Sequence, residues 1–221
     1  MNNFGPVRFD KDGFRSDFFG KLSARVHLSE AVVDFATSML EANEKFFTNE
    51  TFFVSWQEAL ASSIREIADG HSVEFGPVAT DSSAQILAGT VLEGPVMIGP
   101  RTRVGPNAYI RGGTVIGADC RIGFGAEIHN SIICDAVICT HRAYLGHSVV
   151  GESAMIGAGC IVSARRLDDT PVQIRFADRR IKTQLHKLGA FIGARAKVAS
   201  HSTLNPGKVL RPDETLFPSS T

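Results

Sequence analysis

The sequence predicts a mainly β chain, wound as a three-sided parallel β-helix behind a short α-helical extension, and two patterns predict it. The first is an unbroken series, Ile86, Leu92, Ile98, Val104, Ile110, Ile116, Ile122 and Ile128, with an aliphatic residue every six positions. The second is the glycine that directly follows four of these eight, at Gly99, Gly105, Gly117 and Gly123, where a tight corner favours a residue without Cβ. Neither the 3.6-residue period of a helix nor the two-residue alternation of a strand yields a strict six. Three hexads per turn make a triangular prism with one aliphatic per side stacked inward. Successive coils then lie about 4.8 Å apart, as neighbouring strands do.

In chain order, residues 1–20 are rich in Phe and follow no sustained period, as expected of an arm ordered only against something else. After Ser29, Val32, Phe35, Ala36 and Leu40 follow helical spacing. Ser55 with Glu58 forms a capping box ahead of Leu60, Ile64 and Ile67, and Gly70 ends that second helix. Residues 1–83 are thus expected to be an arm and a two-helix extension that caps the prism, and 84–221 the β-helix. Beyond Ile128 the inward series continues as Ile133, Cys139, Leu145, Val150, Ile156 and Val162, with five-residue spacings at Ile128–Ile133 and Leu145–Val150. Those two slips are 17 residues apart, so they shorten a corner and keep the faces in register. The repeat breaks over 163–188 and resumes with Ile192, Val198 and Leu204. Within the break, Val172, Ile174 and Phe176 alternate with polar residues, Ala177-Asp178 suits a turn and Ile181 returns, which predicts a β-hairpin loop projecting outward. Its Arg165, Arg166, Arg175, Arg179, Arg180, Lys182 and Lys187 fit either a phosphate clamp or a solvated charged surface.

Lys and Arg together number 23 and so do Asp and Glu, so no global field recruits nucleic acid or an anionic membrane. No window approaches the roughly 20 apolar residues of a membrane span, and the start MNNFGPVRFDKDGF lacks a signal-peptide core. A cytoplasmic chain is expected. Cys120, Cys134, Cys139 and Cys160 fall within the repeat without paired CxxC spacing, which favours reduced core thiols over disulfides or a zinc cluster.

The stretch NAYIRGGTVIGADCRIGFGAEIHNSIICDAVICTHRAYLGHSVVGESAMIGAGCIV, followed by KLGAFIGARAKVASHSTLNPGKVL, resembles the left-handed β-helix acetyltransferase domain of N-acetylglucosamine-1-phosphate uridyltransferases and its stand-alone homologues. The likeness spans about residues 84–218, with HRAYLGH and the Arg-Gly corner its more specific parts. It implies acetyl-CoA as co-substrate and an amino-sugar phosphate or nucleotide sugar as acceptor. His141 matches the general base that takes the proton of the attacking amine, and Glu127 the carboxylate that orients its ring. Arg111 and Tyr144 match contacts to the substrate phosphate. Ala158 and Ser200 match positions beside the thioester and pantetheine, where a backbone N–H stabilises an oxyanion. His129 stands where the family has lysine, and Met155 and Ala164 where it has asparagine. With Arg165 and Arg166 beside the lost amide, a more highly charged acceptor is implied, such as a nucleotide-linked sugar. Lys187 and Lys208 are left to serve the CoA phosphates.

Two other readings remain open. His129, His141 and His147 lie within about one coil and, if convergent, would give zinc chemistry of the γ-carbonic-anhydrase kind. A non-catalytic trimer that binds a nucleotide sugar or regulates a partner enzyme is the second, because this fold also serves as a scaffold. The resemblance further implies a homotrimer with clefts between neighbouring coils, His141 of one copy facing the Ser200 region of the next.

Overall fold

The computed structural model describes residues 72–73, 76–94, 96–176 and 179–218. The two helices expected within 29–70, and the Ala177-Asp178 turn, lie outside them. The described chain is a three-sided parallel β-helix whose faces are three stacks of short strands. Face one runs through Gly76–Thr80, Val96–Ile98, Thr114–Ile116, Ile132–Ile133, Val149–Val150, Phe191–Ile192 and Val209–Leu210. Face two begins at Gln85–Ile86 and ends at Thr215–Leu216. Face three runs through Val91–Glu93, Tyr109–Arg111, Glu127–His129, Tyr144–Gly146, Ile161–Val162 and Thr203–Leu204. The chain visits the faces in that order, crossing edge one between faces one and two, edge two between two and three, and edge three on the way back to one. Parallel pairing starts at Val78 opposite Val96, and Ser72–Val73 adds a short antiparallel strand before it.

Each hexad aliphatic from Ile98 to Val162 is buried, as are Ile192, Val198, Leu204 and Leu210. Full burial of one such side chain stabilises by roughly 1.5–3 kcal/mol, so the core is a column of small contributions with no dominant residue. Toward the first coil Leu92 is only half-buried and Ile86 is 37% exposed. All four cysteines are buried, Cys120, Cys139 and Cys160 inside the prism and Cys134 at edge one, and no disulfide joins them. Burial pushes the Cys120 and Cys139 thiols up to about 12, so they behave as small hydrophobes.

The register gives the coil length. Val96 pairs with Thr114, a step of 18, whereas Ile132 pairs with Val149, a step of 17. Both five-residue slips fall on edge three, where the turn residues in left-handed conformation are Gly113, then Asn130 and His147. Asn and His tolerate that region better than most residues. At each slip a buried serine accepts from the next coil, as Thr102 does from Cys120 N–H at a regular corner of edge one. Ser148 N–H donates to Ser131 Oγ and Ala190 N–H to Ser148 Oγ, both at 3.0 Å. Each hydroxyl donates in turn to a carbonyl two residues back, at 2.8 Å, on His129 and Gly146.

The break at 163–188 also leaves from edge three, carrying the chain from Val162 on face three to Phe191 on face one. It holds the expected hairpin, Gln173–Phe176 against Arg179–Lys182. The base of this hairpin does not project outward as the alternation suggested: Val172, Ile174, Ile181 and Leu188 are buried. The hairpin lies back on the coil at Gly207, where a Cβ would stand 2.9 Å from Val172 Cγ1. The reason is apolar: one side of the alternating pattern needs a partner surface, and the prism edge is the nearest.

Asp135, on edge one, accepts from Ala118 N–H at 2.6 Å. Burial, reinforced by Glu152 and Asp119, pushes its pKa up to about 6, against about 3.9 in an unfolded chain. A carboxyl raised by folding binds its proton more readily when folded, so its contribution favours the fold at low pH and is lost as pH rises from about 4 to 6. Asp135→Asn keeps the accepting oxygen and removes the charge. It should raise stability at pH 7 by roughly 1 kcal/mol, after discounting for partial solvent screening, and flatten the fall between pH 4 and 6. Chemical denaturation at several pH values checks this; parallel profiles for the two proteins would sink it.

Candidate active site

Face three presents its outward side chains in two columns. Tyr109, Glu127 and Tyr144 are register partners in one, and Arg111, His129 and Gly146 in the other. Outward positions alternate along each strand, so the columns flank the buried line of Ile110, Ile128 and Leu145. Arg111 Nη2 lies 2.9 Å from Glu127 Oε1 and its guanidinium 5.4 Å from the Tyr109 ring centroid. Tyr109 Oη donates to Glu93. The Glu127 carboxylate therefore engages Arg111, where the resemblance implied that it would orient the His141 ring.

Gly146 leaves the second column without a side chain above His129. A Cβ there would stand 3.0 Å from Tyr144 Oη and 3.1 Å from His129 Nε2, so both groups lean over the vacancy. The His129 and His147 rings meet edge to face with centroids 4.6 Å apart. Asn130 Nδ2 meets His147 Nδ1 at 2.9 Å, a contact that favours the neutral ring with its proton on Nε2. Burial, then His129, Lys187 and Arg111, lowers the His147 pKa to about 4. His129 is lowered by burial first and by Arg111 next. Burial raises the Tyr144 phenol, so it is a neutral hydroxyl donor at neutral pH.

These groups line a cavity of about 360 Å³ between face three and the two ends of the loop, Ser163, Ala164 and Arg165 at its start and Lys187 at its end. Arg165 is paired with Asp169 at 2.8 Å. Arg166 turns away to Asp168 and Thr170 and does not line the cavity. Lys187, expected at the cofactor, lines this cavity; Lys208 is exposed farther along edge three.

His141 stands elsewhere, on edge two. With Ala158 and Ser200 it occupies successive levels of that edge. Gly159 N–H donates to His141 O at 2.9 Å, and His201 N–H donates to Ala158 O at 2.8 Å. Ser200 Oγ accepts from Ala158 N–H at 3.2 Å, a long bond that a turn of the side chain releases. The proposed base and the proposed thioester positions thus share one edge, about one coil spacing apart at each step. The zinc reading needs His129, His141 and His147 to converge, and His141 is on a different edge from the other two. Among the described residues no three His, Cys, Asp or Glu side chains are grouped to hold a metal ion.

Sequence reasoning weighed His147 only as a metal ligand and passed over Asn130 and Ser163. The signal that could have found the first two was present, since Asn130 and His147 occupy the two shortened corners.

Residues 92–217 match the family described as the GMPPB C-terminal domain. The chain is 33% identical over 143 residues to a bifunctional sugar-1-phosphate nucleotidylyltransferase/acetyltransferase of Sulfurisphaera tokodaii, covering 65% of this chain and 36% of that protein. It is 35% identical over 143 residues to the uncharacterized acetyltransferase YaiX of Escherichia coli O6:K15:H31, covering 65% of this chain and 62% of that protein. The chain therefore spans less than two thirds of either relative. A solved hexapeptide transferase family protein from Anaplasma phagocytophilum is 20% identical, with 62% of this chain and 72% of that one covered and a TM-score of 0.42.

Two glycines should respond differently to the same substitution. In Gly157→Ala the new Cβ would meet the Ser200 backbone nitrogen at 2.4 Å and force two coils apart, at a cost of roughly 1–3 kcal/mol. In Gly146→Ala it meets only the far ends of Tyr144 and His129, which can move, so stability should change by less than about 1 kcal/mol while the cavity is reshaped. Thermal denaturation of both variants measures the difference, and equal losses would contradict it.

Proposed function

The chain belongs to the GMPPB C-terminal domain family, and from that premise we propose that it is an acyl-CoA-dependent N-acyltransferase acting on an amino-sugar phosphate or nucleotide sugar. The observation that carries the reading is the alignment of His141, Ala158 and Ser200 along edge two, beside a face whose Arg111, His129 and Tyr144 open onto a cavity with Arg165 and Lys187. The names of the relatives, which include acetyltransferases and a sugar-1-phosphate enzyme, support the same donor and acceptor classes.

In this mechanism the acceptor amine attacks the thioester carbonyl carbon of acetyl-CoA. His141 takes the amine proton as the C–N bond forms, and Ala158 N–H, released from Ser200 Oγ, donates to the oxyanion. Collapse of the tetrahedral adduct breaks the C–S bond and expels the CoA thiolate, to which His141 returns the proton. Arg111 and Tyr144 hold the acceptor phosphate, and the Arg111 fork suits a tetrahedral oxyanion.

We also propose that the working form is a homotrimer. Ile138, Met155 and Ile161 are 39%, 42% and 49% exposed, on faces two and three around edge two. Covering such residues is favourable, and a neighbouring copy placed there would bring its own edge beside His141.

A second reading keeps the binding and drops the chemistry. Ala164 lines the cavity where the resemblance implies an amide, and losing such a hydrogen bond costs about 0.5–1.5 kcal/mol. On that reading the protein is a nucleotide-sugar-binding subunit.

Free CoA should be released from acetyl-CoA in the presence of an amino-sugar phosphate or a nucleotide-linked amino sugar, and His141→Ala should lower the rate by about 10²–10⁴ with the fold intact. Ligand binding without turnover across an amino-sugar panel would favour the second reading. Light scattering should give three times the chain mass of 23.8 kDa; a monomer would remove the shared-cleft model.

A further inference from the structure

The cavity on edge three holds less fixed positive charge than its lining suggests. Arg111 is paired with Glu127 at 2.9 Å and Arg165 with Asp169 at 2.8 Å. Lys187 makes no ion pair among the described residues and is the remaining cation of the wall. The other basic groups are His129 and His147, whose rings are in contact. We propose that this cavity binds the phosphate of the acceptor and that the His129–His147 pair takes up one proton as the anion enters, supplying the charge that the fixed cations do not. The proposal rests on the acceptor class inferred above.

The geometry sets the number at one. Two imidazolium rings with centroids 4.6 Å apart would repel strongly in a half-buried site. Asn130 Nδ2 meets His147 Nδ1, a contact that favours the neutral ring with its proton on Nε2. The charge therefore falls on His129, and the neutral His147 ring beside it is a tolerant neighbour for a cation. Among the described residues, the charged and titratable groups that line the cavity beside the pair are Arg111 and Tyr144 from face three and Arg165 and Lys187 from the loop, with Glu127 paired to Arg111. In the free protein, burial, Arg111 and Lys187 oppose a charge on His129, and Glu127 favours it. An oxyanion placed among them reverses the sign of the local field and stabilises the imidazolium. Lysine at position 129 would supply a permanent charge; histidine makes it conditional on the ligand.

Sulfate is the suitable probe, because it is a tetrahedral dianion with no proton of its own to exchange near neutrality. Isothermal titration calorimetry of the intact chain near pH 7, in two buffers of different ionisation heat, counts protons directly. We expect about one proton taken up per sulfate, and affinity roughly a hundredfold weaker at pH 8 than at pH 6, since one linked proton changes affinity about tenfold per pH unit. His129→Gln should bind sulfate without proton uptake and without that pH dependence. Binding with no proton uptake, no sulfate binding at either pH, or uptake that persists in His129→Gln would each overturn the proposal. Should that variant fail to fold, the proton count on the unaltered chain decides alone. CoA release is a separate readout: turnover without linked protons sinks this inference and spares acyl transfer, and linked protons without turnover do the reverse.

Discussion

Everything in this molecule hangs on the backbone hydrogen bonds between successive coils. They run along the faces and continue around the corners: Ala136 N–H donates to Ala118 O, Arg142 N–H to Phe124 O, and His147 N–H to His129 O, at 2.8 to 3.0 Å. A buried backbone group left without a partner is expensive, so each coil must present its carbonyls where the next presents its N–H groups. That requirement is why the period is so regular. Where edge three shortens, Ser131 and Ser148 supply hydroxyl oxygens that accept from backbone N–H groups of the next coil.

The same constraint decides where chemistry can be built. A side chain on a regular position is stacked above one neighbour and below another, at a spacing set by the ladder. Edge three departs from this twice at its corners and once through the loop at 163–188, and its departures converge on one cavity. Asn130 and His147 turn the two shortened corners, so their side chains meet each other across one coil step. The loop then folds back over them because Val172, Ile174, Ile181 and Leu188 bury themselves against the prism. Edge two stays regular, and regularity is what spaces His141, Ala158 and Ser200 evenly along one line. One edge thus offers an ordered track and the other an irregular pocket, with face three between them.

Charge follows the same division. Along edge one, Arg101 and Asp119 pair across neighbouring coils at 2.7 Å, as do Arg195 and Asp213. Both pairs are more than half exposed and are worth little individually. In the pocket the burial is greater, and the imidazoles of His129 and His147 are shifted toward neutrality. Burial at these two rings thus has a functional consequence that the exposed ion pairs lack.

The hexad spacing alone determined the prism, the inward column and the two slips, because a strict period of six has one inexpensive backbone solution and each residue's role follows from its place in the count. The alternation in the loop likewise determined its hairpin. Site residues were legible only as a set of candidates. Arg111, His129, Tyr144, Arg165 and Lys187 share a cavity, whereas His141, Ala158 and Ser200 share an edge, and nothing in their spacing separates the two groups. Tertiary structure alone decided that Glu127 turns to Arg111, that Arg166 turns away to Asp168, that the hairpin lies on the coil, and that His147 faces His129. The period sets the height of each residue along the prism. Which way an outward side chain points depends on what the neighbouring coil and the returning loop leave open beside it.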